Sequence, residues 1–225
     1  MTTIPVRPLL TLKLATLAAA AVALLLLSGC HWVGVRGNGH ITTDSRPVSN
    51  FTRVEADGAF TINWSPGAPS LKITTDSNLL DYIRTDVSDD RFHIEWVKPL
   101  QGTRGIKVEI SSPSITHVTL NGAVKLTAAS LSGAEFYLEA NGATRTALSG
   151  NVNAMSGEMN GASKLDAEKL TTRAIELSIS GAGRADVNAS DALKVEISGA
   201  GKVTYAGNPE ISKSISGAGS VVKRD

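Results

Sequence analysis

The sequence predicts an all-β fold: a single-domain β-solenoid of the parallel β-helix type, with coils of about 18–20 residues. Two observations carry this prediction, a short glycine phrase that recurs at a nearly constant period and an alternation of apolar and polar residues around it. The phrase reads Asn-Gly-Ala or Ser-Gly-Ala, and its glycines are Gly122, Gly142, Gly161, Gly181, Gly199 and Gly217. Their intervals of 20, 19, 20, 18 and 18 residues are typical of a solenoid, in which each coil buries its apolar side against the next.

The residues on both sides of each glycine follow the period of a β-strand. The positions two and four residues before the glycine are mostly apolar, and so is the position four residues after it. That last column consists of Leu126, Thr146, Leu165, Ala185, Val203 and Val221. An apolar side chain at every second position is a strand pattern, and no helical spacing competes with it. We therefore expect two or three short strands per coil, with each glycine at a corner that needs a positive φ or close packing.

The residue before each glycine forms a column of its own. It is asparagine in the first three phrases and serine in the last three: Asn121, Asn141, Asn160, Ser180, Ser198 and Ser216. Stacked asparagine side chains form hydrogen-bond ladders in cross-β assemblies. Because turn-forming Asn and Ser need no ligand to explain them, this column is predicted to be structural.

The first 29 residues read as a targeting segment. Arg7 and Lys13 are their only charges, and the apolar run from Leu14 to Leu27 is interrupted only by a threonine. Such a run is short for a membrane-spanning helix, which needs about 20 residues, but it suits the core of a signal peptide. The following Leu27-Ser28-Gly29-Cys30 resembles the lipobox of bacterial lipoproteins, which implies cleavage before Cys30 and lipidation of its thiol. The alternative is an ordinary cleaved signal peptide with a cysteine near the cut.

These features predict the domain organisation and the location. Residues 1–29 are a lipoprotein signal peptide, and residues 48–225 are the solenoid domain. Residues 30–47 are mainly a lipid-anchored tether rich in glycine, with a first strand as an alternative near its end. The anchor predicts the cell envelope, and because His31 stands where an inner-membrane retention signal has aspartate, we expect the outer membrane. Cys30 is the sole cysteine, so no intramolecular disulfide forms. Without residues 1–29 the formal net charge falls from +1 to −1, which gives no support to nucleic-acid binding.

The region before the regular repeats also contains strand patterns. Alternating or β-branched segments run over residues 51–56, 60–64, 71–75, 91–97 and 106–111, and residues 78–86 suit a helical turn. Asp57-Gly58-Ala59 reads as an early, degenerate copy of the glycine phrase. We expect larger and less regular first coils in which aromatic residues provide bulk or cover the open end, since terminal repeats are atypical. The aromatic candidates are Trp64, Tyr82, Phe92 and Trp96.

The chain resembles a known protein family. The residues that carry the resemblance are Val54, Gly58, Phe60, Ile62, Leu71-Lys72-Ile73, Asp76, Asn78-Leu79-Leu80, Val87, Phe92-His93-Ile94 and the Ser-Gly-Ala-Gly repeats at 180, 198 and 216. In this order they are similar to the putative auto-transporter adhesin head domain called the GIN domain, over roughly residues 48–221. The resemblance implies an exported β-helical domain, frequently lipid-anchored, without an established enzymatic activity. The asparagines of the first three phrases depart from the serine of the family pattern.

A basic column gives the sharpest functional hypothesis. Three residues after the glycine of the successive phrases stand Lys125, Arg145, Lys164, Arg184 and Lys202, followed by Ser220. The next position points inward, so the five cations point outward and form a stripe of roughly 20 Å in stacked coils. Like charges at this spacing repel, and an anionic glycan of the envelope would offset them. The alternative is a solvated charge network with the neighbouring acids, which are Glu139, Glu158, Asp166, Asp186 and Glu196.

Catalytic and metal-binding patterns are not apparent in the sequence. Asp76, Asp81, Asp89 and Asp90 suit turns or caps better than a catalytic pair. The histidines at 31, 40, 93 and 117 lack ligand spacing, so no metal site and no cofactor are expected. The sequence predicts a non-enzymatic binding or adhesion protein that contacts the membrane through its anchor and takes an anionic glycan or an envelope protein as partner. The alternatives are a structural or accessory envelope protein without a ligand and, third, a polysaccharide-active enzyme. The oligomeric state stays open.

Overall fold

The structure, a computed structural model that describes residues 34–224, is a β-solenoid of about five turns. This confirms the predicted fold class. The predicted signal peptide and Cys30 lie outside the described residues. Within the described part of the chain, no helix has the length and apolar character needed to cross a membrane.

The first part of the described chain, from residue 34 to residue 112, contains nine strands and one short 3-10 helix between β5 and β6. The elements are β1 (Val35–Arg36), β2 (Ile41–Arg46), β3 (Arg53–Gly58), β4 (Thr61–Pro66), β5 (Ser70–Asp76), the 3-10 helix (Ser77–Tyr82), β6 (Ile83–Ser88), β7 (Arg91–Trp96), β8 (Leu100–Gln101) and β9 (Lys107–Ser112). Five of these strands were predicted with bounds that differ by two residues or fewer. The predicted helical turn is correct in its first half, but its second half is wrong, because residues from Ile83 onward pair antiparallel with β7 as β6.

The C-terminal part contains the regular coils. Its strands are β10 (His117–Gly122), β11 (Lys125–Gly142), β12 (Arg145–Gly161), β13 (Lys164–Gly181), β14 (Arg184–Gly199), β15 (Lys202–Ala206), β16 (Glu210–Gly217) and β17 (Ser220–Lys223). Strands β11 to β14 each run through almost a whole coil, whereas two or three short strands were expected. The corners inside a coil are register shifts, such as the one between Ala128 and Leu131, so the chain bends without ending the strand.

All pairs between successive regular coils are parallel and keep the glycines in register. Gly122 pairs with Gly142 and, on its other side, with Gly58. The early phrase at Asp57-Gly58 is therefore a true member of the column, as predicted. Strands β3 to β15 contribute alternate side chains to one continuous core, whose largest fully buried members include Phe51, Phe60, Phe92 and Phe136, whereas β16 is exposed along its whole length.

The paired glycines from Gly58 to Gly217, which we call the glycine column, occupy positions that exclude a Cβ for two physical reasons. Its φ values lie between +93° and +149°, a region that residues with a Cβ rarely adopt. A Cβ built on Gly142 would also lie 2.7 Å from the carbonyl oxygen of Gly122. That oxygen accepts a hydrogen bond from the amide of Ala143 at 2.9 Å, so the two backbones are fixed at this close approach. The phrase recurs because each coil repeats this contact with the coil before it.

Residues 35–46 of the predicted tether contribute two strands, whereas the sequence allowed a strand only near the end of this segment. Strand β1 pairs parallel with β8, and β2 pairs antiparallel with β5, so this segment is part of the sheet system. The guanidinium of Arg46 donates to the carbonyl oxygens of Leu80 and Ile83 at 3.1 and 2.7 Å. Glycine and polar residues suggested a linker, but their backbone groups are used to cover the N-terminal end of the solenoid.

Aromatic side chains fill this end as expected. Phe92 and Trp64 are buried, and Tyr82 and Trp96 are partly buried against the core. At the C-terminal end of the described chain, the inward-facing Ile215 continues the column of Ile197 but is 38% exposed. Within residues 34–224 the two ends of the solenoid therefore differ, since additional strands cover the first end and Ile215 of the last coil is partly exposed.

Candidate functional site

The five basic residues of the predicted stripe lie side by side in the structure. The register pairs Lys125 with Arg145, Arg145 with Lys164, Lys164 with Arg184, and Arg184 with Lys202. Each is the first residue of its strand, and strands in a sheet lie about 4.8 Å apart. We call these five residues the basic stripe.

The backbone fixes the direction of each side chain in the basic stripe. The amide of Arg145 donates to the carbonyl oxygen of Val124 at 2.9 Å, and the amide of Lys164 donates to that of Thr144 at the same distance. The residue after each cation is buried, so strand alternation turns the cation toward solvent. All five side chains are exposed.

A shallow groove of about 430 Å³ runs beside the basic stripe. Four of the cations, Arg145 to Lys202, form one side of it, and small residues of the glycine phrases form its floor. The floor residues with exposed methyl groups are Ala143, Ala162, Ala182 and Ala200. Their recurrence follows from the phrase, since the residue after each glycine is alanine. The groove thus combines a row of positive charges with a narrow apolar strip.

The acids near the basic stripe do not neutralise it through ion pairs. Within residues 34–224, the ion pairs closer than 4.0 Å include none of the five cations. Two of the expected acidic partners bind elsewhere: Asp186 lies 3.6 Å from Arg224, and Glu196 lies 3.5 Å from Lys194. Glu139 accepts a hydrogen bond from Asn141 instead.

One further cation belongs to the same column and was missed by sequence reasoning. Lys107, exposed at the start of β9, pairs with Thr61, and Thr61 pairs with Lys125. The column of Lys125 therefore continues for two more strands. No glycine phrase precedes Lys107, so the repeat alignment could not include it, and only the pairing of β9 with β4 reveals its place.

The asparagine column forms the ladder that the sequence predicts. Asn141 Nδ2 donates to Asn121 Oδ1 at 2.9 Å, and Asn160 Nδ2 donates to Asn141 Oδ1 at 2.8 Å. The ladder extends to the first coil, where Asn121 Nδ2 donates to Asp57 Oδ1 at 2.7 Å. The side-chain amides of the ladder hydrogen-bond to one another, which agrees with a structural role.

A second polar cluster lies on another face, at the first coil. Glu55 and Asp57 of β3 and His93 of β7 bring one potential ligand atom each within 4.8 Å of one another. His93 Nε2 lies 2.7 Å from Asp57 Oδ2. Partial burial opposes a charged imidazole, but the hydrogen bond to Asp57 and the charges of Asp57, Glu55 and Asp86 outweigh it and raise the pKa of His93. Sequence spacing gave no reason to group these residues, since β3 and β7 are far apart in the chain.

The acidic residues rejected as catalysts have structural roles in the fold. The buried carboxylate of Asp76 accepts hydrogen bonds from the Thr103 hydroxyl at 2.6 Å and from the amides of Thr103 and Gly39. These bonds, the Thr103 hydroxyl first, hold the pKa of Asp76 below its usual value. Asp89 and Asp90 form a tight turn with φ of 50° and 64° between β6 and β7. Asp81 lies in the 3-10 helix.

A family comparison covers most of the described chain. Residues 50–209 match the family model described as "Putative auto-transporter adhesin, head GIN domain". No curated protein sequence matches the chain.

Several solved structures share the fold. A putative adhesin from Bacteroides fragilis superposes with a TM-score of 0.69 at 19% identity, covering 85% of this chain and 100% of that one. A putative lipid binding protein from Parabacteroides distasonis gives 0.56 at 22% identity, covering 85% of this chain and 99% of that one. A putative adhesin from Parabacteroides merdae gives 0.53 at 20% identity with the same coverages. At these identities the similarity establishes the fold alone.

Proposed function

This chain belongs to the putative auto-transporter adhesin, head GIN domain family, and we propose that it is a non-enzymatic cell-envelope protein that binds anionic glycans along the basic stripe. The observation that carries the proposal is the row of five exposed cations in register, none of them in an ion pair within the described residues. Unit charges about 5 Å apart at a protein surface repel by roughly 1–3 kcal/mol, depending on the effective dielectric constant. An anionic ligand relieves this repulsion at several positions at once.

The shape of the surface favours a polymer over a small ligand. The cations repeat from coil to coil along a groove that is open to solvent, and the alanine floor repeats with them. An extended glycan matches this pattern because its sugar rings present apolar faces while its carboxylate, sulfate or phosphate groups recur along the chain. The groove lining contains no aromatic side chain, which single-stranded nucleic acids use for stacking.

The absence of an enzymatic role is part of the proposal. Two of the carboxylates considered as catalytic candidates are occupied by other contacts: Asp76 accepts hydrogen bonds from Thr103, and Asp90 accepts one from Thr52. Glycoside hydrolases place two carboxyl groups on either side of the scissile bond. The groove beside the basic stripe has no carboxylate in its lining. Recognition without turnover is the chemistry that this surface supports.

Replacement of three central cations tests the binding proposal. We expect the combined variant Arg145→Gln, Lys164→Gln and Arg184→Gln to bind dextran sulfate and polygalacturonate roughly 10–100-fold more weakly, from about 0.5–1 kcal/mol per exposed charge contact. Binding is measured by calorimetry, with neutral dextran as the uncharged polymer. Denaturation midpoints of variant and wild type should agree closely, because the three side chains are exposed.

A matched variant distinguishes the loss of the basic stripe from a general loss of positive charge. Arg36→Gln, Arg104→Gln and Lys169→Gln remove the same charge from exposed positions off the stripe. This control should keep its affinity within about twofold. An equal loss in both variants, or unchanged affinity in the stripe variant, contradicts the proposal and favours a spacer without a ligand. Tighter binding to anionic lipid vesicles than to either polymer also contradicts it.

We also propose that a lipid on Cys30 anchors the protein in the cell envelope. The proposal rests on Leu27-Ser28-Gly29-Cys30 after an apolar core. Several acyl chains on one residue exceed the reversible membrane binding of a single chain. Wild-type protein should sediment with membranes, and Cys30→Ala should accumulate uncleaved or as a soluble form without lipid label. Labelled fatty acid that still enters the Cys30→Ala protein contradicts the anchor. Protease treatment of intact cells then distinguishes a surface-exposed from a periplasmic domain.

A further inference from the structure

The polar cluster at the first coil has the composition of a transition-metal site. Glu55 and His93 are directly opposite each other on adjacent parallel strands, and Asp57 follows Glu55 on the same outer face. All three side chains are half-buried, so they are held by neighbours but remain open to an ion from solvent. One imidazole and two carboxylates are a ligand set that suits zinc and related divalent cations.

Neighbouring groups hold each candidate ligand from behind. Asp86 Oδ1 lies 3.5 Å from Nδ1 of His93, on the side of the ring away from Asp57. A carboxylate on the second imidazole nitrogen is the usual partner of a metal-bound histidine. The amide of Asn121 occupies Oδ1 of Asp57, and Arg91 Nη1 lies 2.8 Å from Oε2 of Glu55. Oδ2 of Asp57 remains beside Nε2 of His93, and one potential ligand atom from each of the three residues lies within 4.8 Å of the other two.

The charges around the cluster leave room for a divalent cation. Within the described residues, the only cation within 4.0 Å of Asp57 or Asp86 is His93 itself. The nearby Arg91 and Arg84 pair with Glu55 and Glu95. A dication bound by Nε2 of His93 would therefore offset the negative charges of Asp57 and Asp86.

The three ligands must shift to admit an ion. Tetrahedral ligation with bonds of about 2.0–2.1 Å puts neighbouring ligand atoms about 3.4 Å apart. His93 Nε2 and Asp57 Oδ2 are 2.7 Å apart and would separate by about 0.7 Å, whereas the ligand atom of Glu55, which lies within 4.8 Å of the other two, would approach them by up to about 1.4 Å. We propose that Glu55, Asp57 and His93 form a Zn²⁺ site in which Asp86 orients His93 and solvent completes the coordination. The bound ion links β3 to β7 and fastens the N-terminal strands to the first coil.

Metal titration of purified protein without a polyhistidine tag tests this inference. After treatment with a chelator and its removal, the protein is titrated with Zn²⁺ by calorimetry at pH 7.5. We expect one site per chain. His93→Gln should weaken Zn²⁺ binding by more than the roughly 10–100-fold that is typical when a residue hydrogen-bonded to a metal ligand is replaced. The matched variant His117→Gln removes an exposed histidine of the neighbouring strand β10 and should bind as wild type does.

A second variant and a second readout keep the outcome decisive. Glu55→Gln keeps the side-chain shape and should also weaken binding, so the test does not depend on the folding of one variant. Co²⁺ in place of Zn²⁺ should give visible absorption bands that disappear in His93→Gln. Zn²⁺ should raise the melting temperature of the wild type and leave that of His93→Gln unchanged. Absence of binding at 1 mM Zn²⁺, or equal affinity in wild type and His93→Gln, overturns the proposal.

Discussion

Replacing Gly122 with alanine is expected to destabilise the solenoid by about 3–5 kcal/mol. The φ of Gly122 is +104°, and backbone strain at such an angle costs about 1–3 kcal/mol in a residue with a Cβ. The added Cβ would also lie 2.5 Å from the carbonyl oxygen of Gly58. This oxygen accepts the amide of Ala123 at 2.8 Å, so it cannot move away without breaking the contact between coils. Urea denaturation followed by circular dichroism measures the loss.

Two other glycines separate the two causes. Gly133 has φ of +144° but no atom within 4 Å of an added Cβ, so Gly133→Ala should show only the strain, about 1–2 kcal/mol. Gly67 has no positive φ, and the nearest atom is 3.9 Å from an added Cβ. Gly67→Ala should therefore be neutral or slightly stabilising. If Gly122→Ala unfolds at the same urea concentration as Gly67→Ala, the glycine column does not determine how the coils stack.

Replacing Arg46 with glutamine is expected to cost about 2–4 kcal/mol, because two carbonyl groups would lose a charged donor. The guanidinium donates to the carbonyl oxygens of Leu80 and Ile83, and Nη1 also lies 3.2 Å from Oγ1 of Thr85. Its Nε pairs with Asp44 at 2.8 Å. The side chain is only 22% exposed, so water cannot readily replace these contacts. Urea denaturation of the variant measures the loss.

Arg84→Gln is the matched control for this substitution. Arg84 lies on neighbouring β6, is 72% exposed and is 3.9 Å from Glu95, so its removal should cost less than about 0.5 kcal/mol. A clear difference between the two variants would show that Arg46, at the end of β2, belongs to the folded domain. Equal stability of Arg46→Gln and Arg84→Gln would instead support the tether that the sequence predicts.

The regular part of the fold was predictable because one physical contact repeats. Every coil needs a residue without a Cβ at the same corner. The six glycines from Gly122 to Gly217 therefore reveal both the length of the coils and the register in which they stack. Once the register is known, the exposed cations three residues after each glycine follow. The basic stripe is therefore evident from the order of the residues alone. Whether it binds a glycan depends on a ligand, which the repeat pattern does not encode.

The irregular N-terminal part of the fold is harder to predict from the sequence, because its strands do not pair at a regular interval. Lys107 joins the column of Lys125 only through β9 and β4, and His93 meets Glu55 only because β7 lies beside β3. No local sequence pattern indicates pairing between segments so distant in the chain.

The sequence prediction for the segment before Val48 fails for a related reason. Its glycines and polar residues resemble a linker, but Gly39 donates its amide to Asp76, and Arg46 binds carbonyl groups far along the chain.

The most direct test of glycan binding by the basic stripe is the salt dependence of binding to dextran sulfate. Cations that contact a polyanion release condensed counterions, so the logarithm of the affinity falls linearly with the logarithm of the salt concentration. We expect the variant with Arg145→Gln, Lys164→Gln and Arg184→Gln to have a slope shallower by about two to three than that of wild type. The control variant at Arg36, Arg104 and Lys169 should keep the wild-type slope. Identical slopes for wild type and the stripe variant would show that the polyanion does not contact the basic stripe.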